Sequence, residues 1–148
     1  MMTTIAYHHE DQQIAYESRS TRGDVIISDK AAKRIDKDGV SFFMCGSVAD
    51  YDLLLSIYFG GKETLVPECN AYAISDEGCF RIGVSNDGEF WRQKLEHNEA
   101  MGSGWQWAIS AMDFGKSAGD AVEYAKTRDS MSGGEVHVFQ IGDTNSLT

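Results

Sequence analysis

Strand-like and helix-like patterns come in blocks along this chain and do not alternate. β-branched and aromatic runs occupy the first third. A helical period follows, with Val48, Tyr51, Leu54, Leu55 and Tyr58 on one side. Strand patterns then return, two helical stretches come after them, and a last alternating run spans 135–141. Strict alternation of the two types would call for a parallel sheet. Blocks of this kind point instead to antiparallel sheets with helices packed outside, an α+β arrangement.

Residues 3–7 and 13–16 read as a hairpin turning through the polar run 8–12. Residues 24–28 and 40–45 read as a second hairpin-like unit, with Lys33, Arg34 and Ile35 on a strand before a turn at 36–39. Ser47 is a candidate cap for the first helix, which Gly60 and Gly61 end. Strands are expected at 71–74, 79–84 and 89–91, with a turn at 85–88. Gly102-Ser103-Gly104 opens a second helix, expected to bury Trp105, Trp107, Ala108, Ala111 and Met112. Ser117 caps a third, over 118–128, with Ala121, Val122, Tyr124 and Ala125 inward and Asp120 near its positive end.

A length of 148 residues suits one buried core, so one domain is expected over 3–141 with a polar, flexible tail at 142–148. The net charge of −10 argues against nucleic acid, because neutralising phosphates needs a basic face. It also disfavours anionic membrane surfaces. The longest apolar stretch, 53–59, is far shorter than the roughly 20 residues of a bilayer span. Met1-Met2-Thr3-Thr4-Ile5 lacks the basic and apolar regions of a signal peptide, so a cytoplasmic protein is expected. Cys45, Cys69 and Cys79 are odd in number and form no CxxC pair, which favours buried thiols over disulfides. No histidine has a recognised ligand spacing, so no metal site is expected.

Six segments, in order, carry a family resemblance. Thr3-Thr4-Ile5-Ala6 resembles the mature start of proteasome β subunits. Glu17-Ser18-Arg19-Ser20-Thr21 resembles an acidic residue followed by Arg-x-Thr. The run 28–35 resembles the strand with the active-site lysine. Gly46-Ser47-Val48-Ala49-Asp50 resembles the Gly-Ser-x-x-Asp opening the first long helix. Gly102-Ser103-Gly104 resembles the Gly-Ser-Gly before the next helix. Arg128-Asp129-Ser130-Met131-Ser132-Gly133 resembles Arg-Asp-x-x-Ser-Gly. The chain thus resembles the proteasome-like N-terminal nucleophile hydrolases, including the bacterial ring protease that works with an ATP-driven unfoldase. It is similar above all to short proteasome-type proteins of phage and prophage genomes.

The resemblance implies a four-layer αββα sandwich of two stacked antiparallel sheets, and a site. Thr3 would be the nucleophile, its free amine serving as base near neutral pH. Lys33 would lower neighbouring pKa values and place the hydroxyl proton. Glu17 would hold the lysine, glutamate standing where the family commonly has aspartate. The Gly46 amide would face an oxyanion. Ser103, Asp129 and Ser132 would surround the terminal amine. Lys33 and Arg34 are alternatives, since neighbours on a strand face opposite ways and an arginine does not give up a proton. A free Thr3 amine also requires removal of Met1 and Met2.

The implied activity is peptide hydrolysis by a homo-oligomeric ring, without cofactor. It would act on peptides or unfolded protein, with an ATP-driven unfoldase as a further partner, in the host cytoplasm if phage-encoded. A catalytically inactive assembly or interaction protein is the alternative, and an amidase of small amides a third reading.

Overall fold

The computed structural model describes residues 3–142. β1 (Thr4–His8) and β2 (Gln13–Glu17) form the expected hairpin, with Ala6 opposite Ala15. Two long-range partners flank it. β10 (Glu99–Gly102) pairs with β1, and β11 (Val136–Gln140) pairs with β2. The result is a four-stranded antiparallel sheet of order β10-β1-β2-β11.

A second sheet runs in chain order: β5 (Arg34–Lys37), β6 (Val40–Gly46), β7 (Cys69–Ser75), β8 (Gly78–Val84) and β9 (Phe90–Lys94). Alternation along these strands sends side chains both ways. Phe43, Cys45, Tyr72 and Ile74 meet Ile5, Tyr7, Ile14 and Phe139 between the sheets. Phe42, Met44, Ala71 and Ala73 face the other way, against Tyr51, Leu54 and Leu55 of α1 (Tyr51–Tyr58). On the far side of the first sheet, α2 (Trp105–Asp113) and α3 (Ala118–Arg128) pack on β1, β2 and β10. Alanines dominate that contact: Ala6, Ala15 and Ala100 from the sheet, Ala108, Ala118, Ala121 and Ala125 from the helices. The layers are therefore helices, sheet, sheet, helix, as expected for an αββα sandwich.

Several elements differ from the sequence reading. β4 (Val25–Ser28) does not pair with β6; it pairs with β3 (Ser20–Arg22) in a separate two-stranded ribbon. β6 pairs with β5 instead. β10 was not expected, because Glu99-Ala100-Met101-Gly102 holds no β-branched residue. Ser47 makes no side-chain capping bond; it leads a 3₁₀ turn at Val48–Asp50, and Val48 is exposed. Trp105 and Tyr124 are 46% and 41% exposed, although read as inward. Both point away from the alanines of the sheet, whereas Trp107 packs half-buried against that cluster. Ser117 does cap α3, its hydroxyl accepting from the Asp120 N–H at 3.2 Å. Gly142 apart, the expected tail lies outside the described residues, as do Met1 and Met2.

The three cysteines are buried and unbridged. No described helix is long and apolar enough to cross a membrane.

Phe43 is fully buried between Tyr16 and Phe139, with ring centroids at 5.6 and 5.3 Å. Phe43→Ala should lower unfolding free energy by about 3–5 kcal/mol, read from denaturant titration at constant m-value.

Candidate active site

The start of β1 is held by a backbone approach too close for side chains. A Cβ on Gly102, at φ +94°, would lie 1.9 Å from the Thr3 carbonyl oxygen. One on Gly104 would lie 2.0 Å from Thr4 Oγ1. The Gly-Ser-Gly segment therefore lets the chain's first described residues close against the strand-to-helix corner. Ser103 then points to where it is needed. Its hydroxyl lies 3.3 Å from the Thr3 carbonyl oxygen and donates to Asp129 Oδ2 at 2.5 Å.

Asp129 ends α3 and collects three donors: the Ser103 and Ser132 hydroxyls and the Met131 N–H at 3.1 Å. Ser132 Oγ lies 2.7 Å from the carboxylate and 2.6 Å from Thr4 Oγ1. Both serines thus connect Asp129 to the backbone of Thr3 and the side chain of Thr4.

Thr3, Glu17 and Lys33 are each fully buried. Glu17 Oε1 accepts from the Thr3 hydroxyl, from Lys33 Nζ and from the Thr4 N–H at 3.2 Å. Lys33 Nζ also donates to Thr3 Oγ1. Glu17 Oε2 accepts from the Gly133 N–H at 2.7 Å. A Cβ on Gly133 would sit 2.3 Å from the Arg19 guanidinium carbon and displace it; Arg19 itself pairs with Asp29 at 2.8 Å. Burial pushes the Lys33 ammonium below its ordinary pKa, and the Glu17 charge opposes that shift.

Arg34 diverges from Lys33 as strand neighbours do. Its guanidinium pairs with Asp36 at 2.9 Å and lies 4.5 Å from the Phe139 ring centroid. Of the two alternatives, Lys33 is the one beside the hydroxyl.

Gly46 ends β6 at φ +115°, where a Cβ would meet the Glu68 carbonyl oxygen at 2.6 Å. It lines an open cleft of about 750 Å³ with Thr21, Ile27, Ser47 and Ala49. Sequence reasoning did not find Thr4, Gly133 or Gly104 as site residues. Their part is played by backbone N–H groups, by one hydroxyl and by missing Cβ atoms, for which spacing carries little signal.

This arrangement sets two stacked antiparallel sheets around a buried threonine near the chain's start, which is the N-terminal nucleophile hydrolase fold of proteasome- and HslV-type peptidases. Known structures agree. The chain is similar to Thiobacillus denitrificans BPH in complex with epoxomicin, with a TM-score of 0.69 at 18% identity over 93% of this chain and 97% of that one. It is similar to eukaryotic HslV from Trypanosoma brucei, at 0.68 and 18% over 93% and 98%. A second structure of Thiobacillus denitrificans BPH gives 0.66 and 18% over 94% and 96%. No family model and no curated protein sequence matches the chain. The likeness is therefore one of fold.

The buried ion pair sets a pH signature. A lysine pKa lowered by folding means the unfolded chain binds more protons between the lowered value and 10.5, so stability rises with pH across that window. Buried tyrosines and cysteines, raised by burial, act in the opposite sense at high pH. Lys33→Met removes the lysine from that balance. Lys33→Met should lower stability by about 3–5 kcal/mol near neutral pH by leaving Glu17 unpaired. It should also abolish the lysine-linked rise, read by urea unfolding from pH 6 to 10.

Proposed function

We propose that the chain is a threonine-type peptidase whose nucleophile is Thr3. The observation that carries this reading is the buried contact of the Thr3 hydroxyl with Lys33 and Glu17. A hydroxyl shut into a dry site against a lysine and a carboxylate is an arrangement for activation, since an ordinary strand threonine needs neither.

In this reading the Thr3 hydroxyl attacks the Met2 carbonyl, the acyl group passes from the Thr3 nitrogen to Oγ, and water hydrolyses that ester, releasing Met1 and Met2 and freeing both the amine and the hydroxyl. The freed amine then takes the hydroxyl proton as Oγ attacks the substrate carbonyl. Charge on the carbonyl oxygen is met by the Gly46 N–H. The proton passes from the amine to the leaving nitrogen, giving an ester on Thr3. A water, deprotonated by the same amine, hydrolyses that ester. Lys33 keeps positive charge beside Oγ, and Glu17 holds Lys33. Asp129, Ser103 and Ser132 fix the backbone of Thr3 and hence the direction of its amine.

The cleft beside Gly46 is open, which suits a peptide or an unfolded stretch of protein as the substrate. The chain assembles with copies of itself into a ring, supported by the likeness to HslV and by aromatic surface on the helical layer, where Phe114 is 88% exposed. An ATP-driven unfoldase is its further partner. The compartment is the cytoplasm, that of a host if the gene is viral. The resemblance to short phage proteins supports that origin.

Intact mass after treatment with an epoxyketone tests the proposal. Wild-type protein should begin at Thr3 and gain one adduct per chain. Thr3→Ala should retain Met2, gain none, and lose peptide turnover by at least about a hundredfold. Retention of Met2 in the wild type, with no adduct, would establish an inactive assembly protein instead. Turnover of small amides without peptides would establish an amidase.

A further inference from the structure

Four buried side-chain polar atoms have no hydrogen-bond partner among the described residues: the Tyr51 and Tyr72 hydroxyls, Asn70 Oδ1 and Arg81 Nε. Three of them come from one face of the second sheet. Tyr72 and Arg81 are directly opposed across β7 and β8, so their side chains leave the same face about 5 Å apart at Cβ. Asn70 lies two residues before Tyr72 and therefore on that face too. It opposes Cys45 of β6. Tyr72 and Cys45 both belong to the core between the sheets, which places the trio on the inter-sheet side.

Buried polar groups in native proteins are nearly always paired with protein or water, so three unpartnered ones on a single sheet face point to a polar occupant there. The charge of that occupant follows from Arg81. Its guanidinium is half-buried and enters no ion pair with a described residue, although acidic residues outnumber basic ones 23 to 13 in this chain. Glu99 exerts a charge on Tyr72, but its carboxylate bonds to the Ala100 N–H at 3.2 Å. An added cation would be repelled by Arg81; an anion would neutralise it.

The donor set narrows the class. Tyr72 stays protonated, its pKa pushed well above the usual phenol value by burial first and the Glu99 charge second, so its O–H can donate. Arg81 supplies Nε–H and the rest of a planar fork suited to two oxygens in a plane. Turning the Asn70 amide by 180° exchanges its oxygen for two N–H donors. One positive charge and a planar fork match a singly charged, planar acceptor.

We propose that Asn70, Tyr72 and Arg81 form a carboxylate-binding site between the two sheets. The site adjoins the threonine cluster through Cys45. Burial raises the Cys45 thiol pKa most, and among the charges that lower it are both Lys33 and Arg81. The thiol is thus in electrostatic reach of the two cations. The proposal does not require Thr3 to be a nucleophile.

Thermal unfolding tests it, with sodium acetate exchanged for sodium chloride at constant ionic strength. Wild-type melting temperature should rise with acetate and saturate. Tyr72→Phe and Arg81→Met should each weaken apparent acetate affinity at least tenfold. In acetate-free buffer Tyr72→Phe should melt no lower than wild type, since the hydroxyl removed has no partner there. A short peptide that displaces acetate, when its C-terminal amide does not, would identify chain ends as the source; displacement by neither leaves small carboxylates as the ligand. The proposal is overturned by a wild type that shows no saturable rise, by equal rises in all three proteins, or by a Tyr72→Phe protein that melts lower without acetate.

Discussion

The contact between Glu17 and Lys33 is the constraint around which this fold is arranged. Two charges without solvent are expensive to hold, and their mutual attraction alone does not offset the loss of water. Further donors are therefore supplied from distant parts of the chain. The Thr4 N–H and the Gly133 N–H both end on Glu17. These donors tie β1, β2, the approach to β5 and the turn after α3 to a single carboxylate. A glycine at 133 leaves space for the Arg19–Asp29 pair beside that turn. The polar cluster and the glycines near it are thus one solution to a desolvation problem.

Packing density enforces the same arrangement from outside. The helices on the first sheet approach through alanines, which brings Gly104 against both Thr4 and Ala125. Larger residues there would lift the helical layer and draw Ser103 and Asp129 away from Thr3. The second sheet fills the opposite side with aromatic rings, Phe43 meeting Tyr16 and Phe139. One face of the first sheet is therefore close and made of small residues, while the other is thick and aromatic. The threonine lies at the edge between them.

Much of this was legible in the sequence. The block order of strands and helices led to antiparallel sheets, and the threonine, glutamate and lysine that meet were each named from ordered segments. What stayed hidden had physical causes. Lys33 and Arg34 could not be separated, because facing depends on the phase of a strand and β5 begins only at Arg34. β4 was given the wrong partner, because pairing across a long separation leaves no mark in local propensity. β10 lacks β-branched residues and exists because β1 needs a neighbour. Trp105 and Tyr124 followed a helical period yet face out, since the alanines had the stronger claim on the close interface.

The approach of Gly102 and Gly104 to the first strand bears on biosynthesis. The residues around Thr3 come from positions 17, 33, 102–104 and 129–133, so almost every contact spans a long loop, the kind that forms late in folding. While a ribosome is still making the chain, the threonine has no lysine fixed beside it and no aspartate behind it. The contacts of Thr3 and Thr4 with Lys33, Ser103, Ser132 and Gly133 can be complete only after residue 133 has emerged and the sheets have closed. Whatever the Thr3 hydroxyl does is thereby postponed until each copy has finished folding.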